Sequence, residues 1–212
     1  QVIQDVRPVK PKGRNMVGPA FTLRYMPARE DRNQLVEFRN PKHPQRHAIE
    51  TCPPGHVMVM DSRKSATAAS AGDILITRLM MRGAAGVVTD GGFRDAMNIG
   101  DLDIPAYHNR PSSPTNLTTN EAIAINEPIG CGDAPVFPGD IVVGDDDSVI
   151  IIPAHPLGRV HHVAEIECRS RTGKQQARQC NNPAHFYSIY KHGNSPPAVV
   201  VFPLSGSNAS PH

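Results

Sequence analysis

The apolar positions of this chain form short runs separated by glycine- and proline-rich turns. Residues 16–26 alternate apolar and polar side chains after a Gly-Pro turn, and residues 56–61 form a second apolar run. Residues 85–89 form a third run and residues 103–107 a fourth. Runs of this length bounded by turn residues predict β-strands.

A helical pattern begins at Gly72. Asp73 falls in its first turn, where a carboxylate complements the helix dipole, and Leu75 and Leu79 lie on one face. Gly83 is placed to end the helix, because glycine readily adopts the left-handed conformation found after many helix C-termini.

A β-hairpin is predicted further along the chain. Residues 141–143 and 149–152 are apolar runs joined by Asp145-Asp-Asp-Ser148. The acidic triplet raises the alternative of a Ca²⁺ site. Aspartate is also common in turns, so a solvated hairpin tip is the preferred interpretation.

Two stretches lack this regular pattern. Residues 27–54 are polar and proline-rich and predict a long excursion from the sheet. Just before the second of these stretches, residues 160–167 are expected to begin a helix. Residues 168–212 are rich in Arg, Gln, Asn, Ser and Pro, with one apolar patch at Ala198–Phe202. We therefore predict a domain over 1–167 and a divergent, poorly ordered tail over 168–212.

Composition narrows the functional classes. A net charge of +2 gives no strong field for nucleic acid, and no apolar run is long enough to cross a membrane. The four cysteines lack zinc spacing and are typical of reduced thiols. No signal peptide is visible, and the first residue is Gln, so we expect a cytoplasmic protein with a clipped start.

The candidate chemistry lies in two glycine-rich turns. Twenty residues separate Asp73 from the pair Arg94-Asp95. Carboxylates can hold a hydrated Mg²⁺, which needs only one or two protein ligands, and an arginine binds a carboxylate through two parallel hydrogen bonds. Taken alone, the same residues are also explained by an Asp at a helix start and an Arg-Asp surface pair.

The surrounding blocks carry a resemblance to a known family. They are Gly-Pro-Ala-Phe-Thr (18–22), Ala-Gly-Asp (71–73), Gly-Ala-Ala-Gly-Val-Val-Thr-Asp-Gly-Gly-Phe-Arg-Asp (83–95), Asp-Ile-Pro-Ala-Tyr (103–107) and Phe-Pro-Gly-Asp-Ile-Val-Val-Gly-Asp (137–145). Over residues 5–165 the chain resembles the RraA-like family, which includes 4-hydroxy-4-methyl-2-oxoglutarate aldolases, oxaloacetate decarboxylases and the regulator of ribonuclease activity A. The resemblance implies an α/β fold of the swivelling β/β/α kind, with a central sheet and a small barrel-like portion flanked by helices. It also implies a homo-oligomer, either a trimer or a pair of trimers.

The resemblance implies roles for the motif residues of a class II aldolase. Asp95 would be the metal-site carboxylate for Mg²⁺, Mn²⁺ or another divalent cation. Arg94 would bind the pyruvate carboxylate and stabilise the enolate, and Asp73 would hold metal-bound water and help to move protons. Backbone N–H groups of Gly72, Asp73, Ile74 and Leu75 would bind the substrate anion.

Three functional alternatives stay open. The first is a metal-dependent lyase that releases pyruvate from a 4-hydroxy-2-oxo acid or from oxaloacetate. The second is a non-catalytic protein that regulates a ribonuclease by binding its surface. The third is a sugar-acid lyase or hydratase with the same metal site, since residues 27–54 could shape a different substrate pocket.

Other reactive side chains are weaker candidates. Lys64 could form a Schiff base, but a solvated side chain is the preferred interpretation. Cys131, in Gly-Cys-Gly-Asp, is expected in a strand-end turn rather than as a nucleophile. His108 and Arg110 are candidates for the cleft or for a subunit contact. A zinc site at His155, His161 and His162 is disfavoured, because adjacent histidines point apart on a helix.

The sequence departs from the family pattern in three places. The opening helical segment of the family fold is not visible before the first strand. Ser148 stands where the family usually has Gly, which would be mildly strained in a left-handed turn. A Glu from the family's C-terminal helices completes the metal site of a neighbouring subunit, and neither Glu165 nor Glu167 is assigned to that role here.

Overall fold

A computed structural model describes residues 1–33, 36 and 39–154 and the backbone of the segments 187–190 and 198–201. The chain divides into two compact units, 1–156 and 157–212. In the described residues, no helix is long and apolar enough to span a membrane.

The first unit is built on a nine-stranded mixed sheet that curls into a half-barrel and carries few helices. The expected α/β class is thereby confirmed. The main path of strands, in spatial order, is β1 (Val2–Ile3), β14 (Val149–Ile152), β13 (Ile141–Gly144), β3 (Met16–Pro27), β4 (Val57–Asp61), β6 (Gly86–Thr89), β8 (Ala106–His108) and β2 (Arg7–Pro8). Strand β10 (Asn120–Ile125) also pairs with β3, antiparallel. Strand β4 pairs parallel with both β3 and β6, and β8 pairs parallel with β6.

Strand β4 shows how the sheet divides the core. All five of its residues are buried, and alternate side chains enter different clusters. Met58 and Met60 pack with Ile76 and Leu79 of the following helix, whereas Val57 and Val59 pack on the other side against the β13–β14 hairpin. This period of two is expected of a strand covered on both faces, as parallel strands usually are.

Two small sheets complete the unit. Strands β5 (Ala69–Ala71), β7 (Gly92–Phe93) and β9 (Arg110–Pro111) form a parallel three-stranded sheet. Strands β11 (Ile129–Cys131) and β12 (Ala134–Val136) form an antiparallel pair.

The predicted helix is confirmed as α2 (Asp73–Met81), which begins after Gly72. Gly83 follows its last turn with a φ of 83°, and the amides of Gly83 and Ala84 donate to Met80 O and Leu79 O. This arrangement is a Schellman motif, so the glycine ends the helix as predicted. A third helix, α3 (Ala96–Asp101), follows Asp95.

The polar stretch 27–54 contains a helix that the sequence analysis did not predict, α1 (Pro44–Thr51). Proline is favoured in the first turn of a helix, and Ala48 and Ile49 bury the inner face. The strand predicted at 103–107 begins later, at Ala106, because Pro105 carries no N–H for the ladder.

The β13–β14 hairpin is confirmed, and its tip is stabilised by Asp145. Oδ1 of Asp145 accepts hydrogen bonds from the amides of Asp147 and Ser148. Ser148 does not adopt a positive φ, so the expected left-handed strain at this residue is wrong. The Asp145 side chain stabilises the turn in place of a glycine.

In the second unit the structure describes two strands, β15 (Tyr187–Tyr190) and β16 (Ala198–Val201), which pair antiparallel with Tyr187 opposite Val201. The expected disorder of 168–212 and the helix expected over 160–167 stay predictions, because the rest of these segments lies outside the described residues.

Candidate active site

The two halves of the motif meet because β5 and β7 are parallel neighbours. Ala71 pairs with Phe93, and the amide of Arg94 donates to Ala71 O at 3.0 Å. The carboxyl ends of these strands therefore lie side by side, one leading into Gly72-Asp73 and the other into Arg94-Asp95. The twenty intervening residues form α2 and β6, which return the chain to the same edge.

Arg94 and Asp95 form an ion pair at this edge. Nε of Arg94 lies 3.1 Å from Oδ2 of Asp95, and their side chains are 42% and 34% exposed. Both groups are thus reachable from solvent. An ion pair this exposed adds little to folding stability, so a stabilising role does not explain why the two residues are paired here.

Gly72 lies against both side chains. A Cβ built at this residue would lie 3.0 Å from Asp95 Oδ2 and 3.1 Å from an Nη of Arg94. Gly72 has an extended backbone, with φ of −117°, so its role is close packing rather than an unusual conformation.

Asp95 adopts a left-handed backbone conformation, with φ of 59° and ψ of 36°, immediately before α3. Aspartate tolerates this region better than most residues, but it still costs about 1 kcal/mol. Backbone strain of this kind tends to concentrate at functional sites, where it fixes a side chain in one direction.

Asp73 is held from two sides. Its Oδ1 accepts from the amide of Ile74 at 2.7 Å, and its Oδ2 accepts from Nδ2 of Asn98, on α3, at 3.0 Å. The Ile74 amide, one of the four expected to bind a substrate anion, is therefore engaged by this carboxylate. Asn98 was not identified from the sequence, although it lies in the first turn of α3, three residues after Asp95.

A cavity of about 280 Å³ adjoins this edge, large enough for a small organic acid. Its lining residues are Gln45, Arg46, Ala69, Ala71, Gly72, Ile74, Leu75, Arg94, Thr115 and Asn116. Asp73 and Asp95 do not line it, but Gly72, which touches Asp95, does. Within the described part of the chain the lining includes two arginines and no acidic residue, so the cavity favours an anion.

Six of the lining residues were not predicted as site residues, and four of these six are polar. Gln45 and Arg46 belong to α1, which supports the suggestion that residues 27–54 shape the pocket. Thr115 and Asn116 lie at a short 3₁₀ turn (Asn116–Thr118) beside β5. Single polar residues in loops carry no distinctive spacing, so no sequence signal marks them.

The carboxylates of Asp73 and Asp95 suit a divalent cation that keeps several water ligands better than a cation surrounded by protein ligands. Among residues 1–33, 36 and 39–154, no group of three or more His, Cys, Asp or Glu side chains could hold a metal ion. Mg²⁺ and Mn²⁺ prefer oxygen ligands, and Mg²⁺ commonly keeps several waters beside one or two carboxylates. The part-exposed carboxylate of Asp95, with Asp73 nearby on the adjoining helix start, suits that mode. His155, His161, His162, Glu165 and Glu167 lie outside the described residues.

The remaining reactive candidates have structural surroundings. Lys64 pairs with Asp133, which raises the pKa of its ammonium and keeps it protonated. Burial raises the pKa of the Cys131 thiol well above its usual value, so it is a poor nucleophile. His108 is buried and stacked on Phe93, Arg110 is exposed on β9, and neither lines the cavity.

Comparisons with known proteins identify the family of this chain. The family model described as RraA-like, Aldolase/RraA, matches residues 1–151. The chain is 33% identical over 147 residues to a Halalkalibacterium halodurans protein named "Putative 4-hydroxy-4-methyl-2-oxoglutarate aldolase", covering 68% of this chain and 64% of that one. It is 27% identical to Protein DlpA of Legionella pneumophila, covering 74% of this chain and 24% of that one. The chain thus spans less than two thirds of the length of either relative.

Two solved structures of RraA proteins are similar to this chain in fold. RraAS2 of Streptomyces coelicolor, described as an unusual member of the RNase ES inhibitor RraA protein family, matches with a TM-score of 0.63 and 28% identity over 72% of each chain. The RNA-processing inhibitor RraA from Thermus thermophilis matches in fold, with a TM-score of 0.53 and 22% identity over 74% of this chain and 87% of that one. The family match over most of the length, the aldolase-named relative and these folds agree, and the chain therefore belongs to the RraA-like family.

Proposed function

We propose that this chain is a divalent-metal-dependent lyase that releases pyruvate from a 4-hydroxy-2-oxo acid, such as 4-hydroxy-4-methyl-2-oxoglutarate, or from oxaloacetate. The observation that carries the proposal is the meeting of Asp73 with Arg94-Asp95 around the start of α2, beside a cavity that favours anions. Membership in a family that contains aldolases supports it.

Arg94 and the start of α2 would bind the 2-oxo acid. The guanidinium lines the cavity and can bind the substrate carboxylate through two hydrogen bonds. The first amides of a helix have no partners within the helix, and the dipole favours an anion there. Since the Ile74 amide already donates to Asp73, and Asp73 does not line the cavity, the amides of Gly72 and Leu75 are the better placed donors.

Cleavage of the C3–C4 bond leaves its electron pair on C3, conjugated with the 2-oxo group, as the enolate of pyruvate. In the aldol reaction the C4 hydroxyl loses its proton and becomes a carbonyl, and in decarboxylation the C4 carboxylate leaves as CO₂. A divalent cation, when bound at Asp95, supplies positive charge that stabilises the developing enolate oxygen.

The protein side chains supply the rest of the chemistry. Arg94 adds a second positive charge beside the enolate. Asp73, held in place by Asn98, would accept the C4 hydroxyl proton through water and return a proton to C3, giving the methyl group of pyruvate.

An oligomer is proposed on separate grounds. Ile74 and Met81 of α2 and Met97 of α3 are 76%, 73% and 84% exposed, so α2 and α3 present large apolar side chains to the outside of one chain. We propose that copies of the chain associate as a trimer or a pair of trimers. Sedimentation velocity of the full chain tests this, and a monomer at micromolar concentration would contradict it.

The description of RraAS2 as a ribonuclease-inhibitor family member favours a second candidate, a protein that regulates a ribonuclease by surface binding. Such binding requires neither a metal nor the charge of Asp95. A sugar-acid lyase or hydratase with the same metal site is the remaining alternative, and it would act on a different substrate panel.

The deciding experiment measures pyruvate release from 4-hydroxy-4-methyl-2-oxoglutarate and from oxaloacetate, with Mg²⁺ and with excess EDTA. Asp95→Ala is the test variant. Asp101→Ala is the control, since it removes an exposed carboxylate at the end of α3. Release that requires metal and is lost only in Asp95→Ala supports the lyase. Folded protein that releases no pyruvate but binds a ribonuclease equally well in EDTA and as Asp95→Ala would favour the regulator.

A further inference from the structure

Residues 9–14 form a short segment that runs from β2 to β3, both of which belong to the main sheet. The amide of Val9 donates to Ala106 O at 2.8 Å and so extends the pairing of β2 with β8. The Val9 side chain packs against the core cluster that contains Ile99 of α3. We call residues 9–14 the strap, because the sheet holds both of its ends and its middle contacts α3.

Helix α3 buries little of its own surface. It has six residues, of which Ile99 and Gly100 are buried. Helices shorter than about 12 residues are at best marginally stable by themselves in water. Within the described residues, the Asp95 side chain makes no hydrogen bond that caps the N-terminus of this helix. The position of α3 therefore depends on the groups that hold its two ends.

Lys12 of the strap caps the C-terminal end of α3. Its Nζ donates to Gly100 O at 2.5 Å and to Leu102 O at 2.6 Å, and Lys12 is half-buried. The last carbonyls of a helix have no partner within it and carry a partial negative charge, so an ammonium is favourable there. The strap comes this close because Gly100 has no side chain: a Cβ there would lie 3.3 Å from Cβ of Lys10. One ammonium group therefore joins the strap to the end of α3.

The other polar contacts of the strap with this region are exposed. Lys10 pairs with Asp101 at 2.8 Å, and Arg14 pairs with Asp103 at 2.7 Å. All four side chains are at least half exposed, and ion pairs of this kind contribute little to stability. Lys12 is therefore the strap residue on which the position of α3 depends most.

We propose that Lys12 is a positioning residue for the candidate active site and acts through α3. Asp95 immediately precedes this helix, and Asn98 in its first turn donates to Asp73 Oδ2 at 3.0 Å. Because Lys12 holds the C-terminal end of α3, the first turn keeps both carboxylates in place. Without the ammonium, α3 would shift or fray, and the carboxylates would occupy a wider range of positions. The effect on catalysis rests on the proposed lyase function, whereas the effect on α3 does not.

The kinetic test uses Lys12→Met, which keeps an unbranched apolar side chain but removes the charge and the donors. We expect kcat for pyruvate release to fall about threefold to tenfold. KM should stay within about twofold, because the cavity is lined by residues outside α3. Lys12→Arg should restore kcat, since a guanidinium can donate to both carbonyls. Lys10→Met is the matched control, which removes an exposed ion pair of the same segment and should keep the wild-type kcat.

Amide hydrogen exchange tests the same link without turnover. The Ile99 amide donates to Asp95 O at 3.0 Å, so its exchange reports the opening of α3. Amides of the buried strand β4 report the opening of the core. We expect Ile99 to exchange at least about tenfold faster in Lys12→Met than in the wild type, with unchanged exchange in β4. Lys12→Arg should restore the wild-type exchange at Ile99.

The two measurements separate the role of Lys12 from the lyase assignment. Faster Ile99 exchange in Lys12→Met, restored in Lys12→Arg, in a protein that releases no pyruvate would support the hold of Lys12 on α3 and overturn the lyase. Unchanged Ile99 exchange in Lys12→Met, or an active enzyme whose kcat is unchanged by this substitution, would overturn the proposal. A loss of kcat that Lys12→Arg does not restore would overturn it as well. So would faster exchange in β4 together with α3, because Lys12 would then stabilise the whole fold rather than position one helix.

Discussion

A Cβ atom at Gly72 would lie 3.0 Å from Oδ2 of Asp95, a distance shorter than nine in ten Cβ contacts in real structures. The absence of a side chain at the start of α2 therefore allows the helix terminus and the Asp95 carboxylate to share one small volume. The same Cβ would lie 3.1 Å from an Nη of Arg94. The close approach of these three groups thus depends on the absence of a side chain at Gly72.

Gly72→Ala should impair activity more than stability. The extended backbone of Gly72 accepts alanine, and the new methyl group would displace the ends of two part-exposed side chains rather than the backbone. These side chains would have to shift by a few tenths of an ångström. Since a displacement of about 1 Å can cost about a hundredfold in rate, we expect kcat/KM to fall several-fold to tenfold. Gly130→Ala is the control, because nothing lies within 4 Å of a Cβ there. Equal activity of the two variants would contradict the proposed packing.

Substitutions of Asp95 should separate the effect of its backbone conformation on stability from the effect of its charge on activity. Alanine is disfavoured at a φ of 59° by about 1 kcal/mol, whereas glycine is not. We therefore expect Asp95→Gly to be more stable than Asp95→Ala in urea unfolding, although both lose pyruvate release. Asp95→Asn should keep the stability of the wild type and lose activity, since it retains the shape but not the charge. An alanine variant as stable as the glycine variant would count against the left-handed conformation.

The regular elements could be predicted from the sequence because their signals are local. The alternation in β4, the first turn and glycine end of α2, and the β13–β14 hairpin each depend on a few adjacent residues. The motif spacing and family resemblance identified Asp73, Arg94 and Asp95 as candidates, and the structure places them at one edge. Their assigned roles stay predictions.

The cavity wall could not be predicted, because it depends on contacts between distant segments. Gln45 and Arg46 reach the site only because α1 forms in a polar stretch and packs against α2. Glu50 of α1 pairs with Arg78 and Arg82, which lie 28 and 32 residues later in the chain. Neither condition leaves a pattern around residue 46 itself.

Asn98 should act as a positioning residue for Asp73. Its Nδ2 donates to Asp73 Oδ2 at 3.0 Å, so Asn98→Ala would free that carboxylate to rotate. We expect kcat for pyruvate release to fall several-fold to tenfold with little change in KM. Asn98→Asp would replace the hydrogen-bond donor with a second carboxylate, and it should lower kcat at least as far as Asn98→Ala does. A wild-type kcat in both variants would contradict a positioning role for Asn98.

His108 should make the fold sensitive to acid. Burial against Phe93 lowers its pKa to about 4 from an ordinary value of 6.5, and its buried Nδ1 has no partner among the described residues. Between those values the unfolded chain binds a proton that the folded chain does not. Stability is therefore retained above about pH 6.5 and lost progressively as the pH falls toward 4, by at most about 3 kcal/mol.

The matched variant is His108→Phe, which keeps an aromatic ring beside Phe93 but cannot be protonated. Urea unfolding at several values between pH 7 and pH 4.5 should show the wild type losing about 2 kcal/mol more than this variant on acidification. Other groups titrate in the same range, but they are common to both proteins and cancel in the difference. Parallel stability curves would mean that His108 keeps an ordinary pKa in the folded chain. The fold would then tolerate a charged imidazole on β8, against Phe93 of β7.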